Sequence, residues 1–325
     1  MFLKKYVFLL TLVAMFVASP AAQANKQMDT EDKVSILVKA LEKKDTKAVK
    51  QAIKAIGAYG KDAAIAIPEL LKVLKDRPAL SVYTGTFGLA PIGEKIIAPL
   101  LPLLQHKNKN VRLGAATALK TLGAKSATKQ LLPYLNTKDQ AVQNILVGLL
   151  AHSPPASLPN MLKSAKKSKA LRLAVIRIFG AMGQKASHKA IDYLRRSLMD
   201  KDKQVQQHAL TSLGQIGDKA GAAVAVLLIF FQPSYGALRT QAIDTLVKIG
   251  RPSLPTMLEV LGHGNASFRE AGLTVIGRVG VSTPRITRAL NSMLKDRDGK
   301  VQKAAKQALA RLNKKATTQK APTKR

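Results

Sequence analysis

Cysteine and tryptophan are absent from these 325 residues, and only six tyrosines and eight phenylalanines occur. Disulfides, thiolate nucleophiles and thiolate metal ligands are therefore excluded. The shortage of aromatic rings leaves little with which to stack bases, as single-strand nucleic-acid binders do. Acidic residues are scarce as well. Nineteen Asp and Glu stand against 53 Lys and Arg, a formal net charge of +34. The five histidines are His106, His152, His188, His208 and His263. None forms H-x-x-x-H, none is followed by Glu, and none has a second His at metal-ligand spacing. Neither a G-x-x-x-x-G-K-[ST] nor a G-x-S-x-G stretch occurs. These absences point away from an enzyme and leave no residue set for a cofactor or a metal.

A hydrophobic fraction of 46%, mostly Ala, Leu, Ile and Val, is ample for a core. That composition suits closely packed helices better than strands. The first 24 residues place Lys4 and Lys5 ahead of an apolar run from Tyr6 to Ala18, then Ala22-Gln23-Ala24. This order predicts a secretory signal peptide cleaved before Asn25, and so a periplasmic or secreted protein. The run is shorter than the roughly 20 residues that a spanning helix needs.

Residues 202–217, DKQVQQHALTSLGQIG, supply a frame that recurs. With Val205 as position 0, it can be laid on Ala48, Ala79, Val111, Val142, Leu171, Val205, Leu238, Phe268 and Val301. Three residues earlier stand Asp45, Asp76, Asn108, Asp139, Ser168, Asp202, Tyr235, Asn265 and Asp298, of which all but Tyr235 suit a helix cap. Positions 0, 4, 8 and 11 form one apolar helical stripe, and position 8 is large and apolar in all nine copies, Phe87, Phe179 and Leu309 among them. Position 12 is glycine in six copies, Gly60, Gly123, Gly183, Gly217, Gly250 and Gly280, and Pro91, Pro154 or Asn313 in the rest. Each is a helix stop. GAYGKD at 57–62 and GQIGDKAG at 214–221 only superficially resemble phosphate loops, because both lie at these recurring helix ends.

A second apolar segment precedes each such helix, and several carry proline near the start: Pro68, Pro99, Pro133, Pro255 and Pro284. Pro102 falls deeper and predicts a kink. Each unit thus reads as two antiparallel helices that bury their apolar faces only by stacking on neighbours. His208 occupies a column filled elsewhere by residues such as Gln51, Ala174 and Gln241, which need no imidazole.

Units such as DKQVQQHALTSLGQIG, NKNVRLGAATALKTLG and YGALRTQAIDTLVKIG resemble the HEAT repeat family, in its short bacterial form related to phycobilisome lyases. The resemblance covers residues 29–313. It implies an all-α, right-handed α-solenoid of about nine two-helix repeats over 25–313, followed by a disordered basic tail at 314–325. It also implies an Asp–Arg ladder along the stack. Arg112, Arg172, Arg239 and Arg269 match the arginine, while Asp200 and Asp296 are the clearest acids, and no unit holds both. A ladder must then run between neighbouring units or be incomplete. Deoxyhypusine hydroxylase, an enzyme of similar architecture, holds iron through His-Glu pairs that this sequence lacks.

Between Lys95 and Ile191 stand 16 Lys or Arg and one acid, Asp139. The candidate partner-binding residues are Arg112, Lys120, Lys166, Lys167, Lys169, Arg172 and Arg177, read as a basic stripe on a concave face. The expectation is an exported, non-enzymatic scaffold for an acidic protein partner. Anionic membrane surfaces are the second class of partner. A lyase-like enzyme is a further alternative, resting on the resemblance alone. Nucleic acid is disfavoured by the export signal and by the placing of Phe87, Phe179 and Phe268 in core columns.

Overall fold

A computed structural model describes residues 29–320; the expected leader at 1–24 and the last five residues lie outside them. The described residues are helical, without a strand. The chain divides at Leu149–Leu150 into two compact units. The first runs through four helix pairs: α1 (Thr30–Leu41) and α2 (Thr46–Ala58), α3 (Ile67–Asp76) and α4 (Ser81–Tyr83), α5 (Ile97–Leu100) and α6 (Lys109–Leu122), α7 (Thr128–Leu131) and α8 (Gln140–Leu150). The second holds five: α9 (Leu158–Ala165) and α10 (Lys169–Ala181), α11 (His188–Ser197) and α12 (Lys203–Ile216), α13 (Val224–Leu227) and α14 (Ala237–Ile249), α15 (Leu254–Val260) and α16 (Ala266–Val279), α17 (Pro284–Met293) and α18 (Gly299–Lys320). Each pair is one sequence repeat, and each unit is an α-solenoid. In the second unit α10, α12, α14, α16 and α18 pack one on the next.

The helix starts follow from the caps. Asp45, Asn108, Asp202, Asn265 and Asp298 each accept a hydrogen bond from the amide two residues on, at 2.8–2.9 Å. Asp139 accepts from Ala141 and Val142, and Ser168 from Leu171. Each satisfies one of the donors a helix leaves unpaired at its first turn. Asp76 does not cap; it is the last residue of α3, because Pro78 opens a short 3₁₀ turn (Pro78–Leu80) that delays the next helix. All six glycines at position 12 have positive φ, from +52° at Gly183 to +75° at Gly250, a conformation that L side chains resist. Asn313 is no stop. Helix α18 runs on to Lys320, into the segment expected to be a disordered arm, since nothing before Pro322 breaks it.

Two prolines cut first helices short. Pro102 breaks α5 into a 3₁₀ turn at Pro102–Gln105, as its depth predicts. Pro133 does the same to α7 at Leu132–Leu135, so it lies inside the segment and not near its start. Pro68, Pro255 and Pro284 occupy first turns.

The stripe forms the core as read, with instructive exceptions. At position 8, Ile56, Leu119, Leu150, Phe179, Leu213, Leu246 and Ile276 are fully buried. Leu309, in the last of the described repeats, is half-buried. Phe87 is exposed at 44%, contrary to the core place its column gave it. The stripe of this repeat is already set one residue later by the 3₁₀ turn at Pro78–Leu80, so Leu80, Thr84 and Gly88 face inward in place of Ala79 and Phe87, and a π-helical segment follows at Thr84–Leu89. Phe268 is half-buried and edge-on to Phe231, with ring centroids 5.8 Å apart.

Candidate partner-binding face

The arginine one place after position 0 sits where its helix begins, beside the turn that ends the preceding helix. Arg112 donates to the carbonyls of His106 and Lys107, and Arg269 repeats this with His263 and Gly264. In each case the guanidinium caps carbonyls left open by the shorter first helix. Its remaining nitrogens reach the next repeat. Arg112 binds Asp139 at 2.6 Å, Arg172 binds Asp200 at 2.8 Å, and Arg269 holds both oxygens of Asp296 at 2.8 Å. Arg239 takes Glu270 at 3.0 Å. The ladder therefore runs between neighbouring repeats. Two of its acids, Asp139 and Glu270, stand three before and two after position 0 instead of five before, so the expected column does not reveal them.

The electrostatics follow the contacts. The hydrogen bond from Arg269 holds the Asp296 carboxyl below its ordinary range against the opposing effect of burial. The same bond raises the Arg269 guanidinium. Burial alone would raise Asp139, but the bond from Arg112, the amides of Val142 and Ala141 and the cation itself outweigh it and lower the group. With side chains only 6% and 7% exposed, Arg269 and Asp296 form the most enclosed ion pair among the described residues.

This arrangement gives three residues of the expected basic stripe an acid partner within the fold. Arg112 and Arg172 are committed to the ladder, and Lys169 pairs with Asp202, the cap of the following second helix. Structural cohesion uses these three. Arg177 lies half-buried on α10, where burial pushes its guanidinium down. The neighbouring His208 on α12 is likewise lowered, first by burial and then by the Arg177 charge. Lys120 is exposed near the end of α6, and Lys166 and Lys167 are exposed at the turn between α9 and α10. Residues of the second helices add further exposed cations that the stripe omitted, Lys47, Lys50 and Lys54 on α2.

Neighbouring second helices of the second unit are also bridged by polar groups. The Gln241 amide donates to the Gln207 carbonyl and to Thr211 Oγ1, and Arg278 pairs with Asp244 at 2.6 Å. Buried hydroxyls of Ser212 and Thr245 donate to the carbonyls of Ile176 and Leu210, one helix back. Glycines allow the close crossings. A Cβ on Gly57 would lie 1.8 Å from the Phe87 carbonyl oxygen, and one on Gly277 would lie 2.7 Å from Ala308 Cα. The signal was present in the sequence as a glycine three residues before the terminal one, in Gly57-Ala-Tyr-Gly60 and Gly277-Arg-Val-Gly280.

Two of the histidines serve turns. His106 Nδ1 accepts from the Asn108 amide and His263 Nδ1 from the Asn265 amide, both at 3.1 Å. Among the described residues no group of three His, Asp or Glu converges as a metal site would require.

A family model for HEAT repeats matches residues 67–151 and 156–246, together more than half of the chain. No curated protein matches it. Among solved structures, an engineered protein is 18% identical over 93% of this chain and 93% of its own, with a TM-score of 0.37. Kap95p, which binds RanGDP, is 16% identical over 94% of this chain and 49% of its own, with a TM-score of 0.48. Human deoxyhypusine hydroxylase is 18% identical over 91% and 100%, with a TM-score of 0.34.

Proposed function

Because this chain belongs to the HEAT-repeat family, we propose that it is a non-enzymatic scaffold whose exposed cations bind an acidic protein partner. The observation that carries this reading is the imbalance of charge on a framework that holds several of its acids in ion pairs. Even with every one of the 19 acids paired, the 53 Lys and Arg would leave 34 cations without a carboxylate. The acids of Asp139, Asp200, Asp202, Asp296, Asp244 and Glu270 are held within or between repeats. Among the described residues Lys47, Lys50, Lys54, Lys120, Lys166 and Lys167 face solvent, where such cations raise the local concentration of anionic surfaces and speed encounter. Lys120 in the first unit and, separately, Lys166 and Lys167 in the second are the exposed candidates among the seven residues that lie outside the ion pairs described above. The leader at 1–24 would export the chain, so the partner is sought in the envelope or outside the cell.

The test is affinity capture from an envelope extract, using the mature chain and a Lys120→Glu, Lys166→Glu, Lys167→Glu variant. The wild type should retain one acidic protein in moderate salt, identified by mass, and rebind it once purified; the variant should lose most of it. Equal retention by the variant would refute the assignment of these lysines. A native chain whose mass begins before Asn25 would refute the processing.

A further inference from the structure

The second repeat breaks the pattern of the others, and does so next to the lysines of the first. We propose that α2 and the adjoining π segment form one docking face for an acidic segment whose carboxylates alternate with apolar side chains. This rests on the acidic-partner reading above and adds a place and a chemistry to it.

Lys47, Lys50 and Lys54 fall at i, i+3 and i+7 on α2, all exposed, and α2 contains no acid. They lie on one side of the helix. Beside them Phe87, within the π segment, faces outward at 44% exposure, and Val82, just before that segment, is exposed to the same extent. The groups are contiguous. Lys50 Nζ stands 5.5 Å from the Tyr83 ring centroid, and the Tyr83 and Phe87 rings are 4.7 Å apart. The Phe87 backbone abuts α2 at Gly57, one turn beyond Lys54.

The segment that carries Phe87 has a cost. The π geometry interrupts the helical ladder, and Thr84 Oγ1 is buried there without a hydrogen-bond partner. Single-turn π irregularities concentrate at functional sites. A face of lysines alone attracts any polyanion, whereas an aromatic ring set among them rewards an apolar group between the charges. The rings project from helices, not from loop tips that could enter a bilayer, which favours a peptide segment over a lipid surface. A second copy of this chain is disfavoured by its net charge of +34.

Fluorescence anisotropy with two labelled peptides of equal length and charge tests the proposal, one alternating glutamate with phenylalanine and the other glutamate with serine. The first should bind at least about tenfold tighter, a difference of ~1.4 kcal/mol. Phe87→Ser should abolish the preference while leaving the far-UV dichroism unchanged, and Val82→Ser, a milder variant, should reduce it. Lys50→Glu with Lys54→Glu should weaken both peptides. Equal affinities, with both weakened by the lysine variant, would overturn this docking face and leave the general acidic-partner reading intact. No binding of either peptide would overturn it too, while capture of the acidic envelope protein reports separately on that reading. A preference that survives Phe87→Ser, Phe87-dependent binding to anionic phospholipid vesicles but not to peptide, or Phe87-dependent self-association would each overturn it.

Discussion

A single carboxylate, Asp296, shows what the ladder does. It receives two nitrogens of Arg269 and the amide of Asp298, and its carbonyl accepts from Gln302. Removing it would leave a guanidinium enclosed at 6% exposure without its counter-ion. Asp296→Ala should therefore destabilise the protein by about 3–5 kcal/mol in urea denaturation, as expected for a broken buried pair. The sign of its pH dependence follows from the lowered pKa. In the unfolded chain the group titrates near ~3.9. Its contribution is thus full above that value and fades as pH falls toward the lower, folded pKa. The wild type should lose stability in that acid window more steeply than Asp296→Ala does.

At the scale of elements, the sequence announces most starts and stops. Asn265 caps α16 and Gly280 ends it with φ of +70°, both as their columns predict. Residue type alone carries these features, because the physics lies within one turn of the chain. Features that depend on a neighbouring repeat are less legible. Glu270 serves Arg239 from a place that no column marks, and Phe87 leaves the core because the stripe of its repeat is set one residue later, from Leu80 on. The same holds for the candidate site, where the acid partners of Arg112, Arg172 and Lys169 lie 27 to 33 residues away. Helix crossings belong to the same class. Gly57→Ala would drive a methyl into the Phe87 carbonyl, backbone against backbone, where no side chain can swing aside. A loss of at least ~1–3 kcal/mol is expected, the range for overpacking, read as a lower thermal midpoint.

Across the whole molecule, charge sets behaviour more than any single pair does. A net charge of +34 keeps copies apart and makes every electrostatic association sensitive to ionic strength. Binding of an acidic partner by Lys120, Lys166 and Lys167 should weaken sharply between low salt and ~1 M, where the Debye length falls from about 30 Å at 0.01 M to about 3 Å. Calorimetry at graded salt measures this. A nearly flat salt response would mean that apolar contacts dominate and that the lysines are only a solvated surface.

The reach of each arginine into the following repeat also constrains how such a chain can lengthen. Copying the eighth repeat in tandem is benign, because the new neighbour brings its own Glu270 to the preceding Arg269, as Arg239 already finds one. Copying the fifth is not, because that repeat has Lys166, Ser168 and Leu173 at the three places from which acids are supplied. The first copy's Arg172 would then face no carboxylate. Duplication is therefore permitted repeat by repeat, and the permission is written in which repeat carries the answering acid.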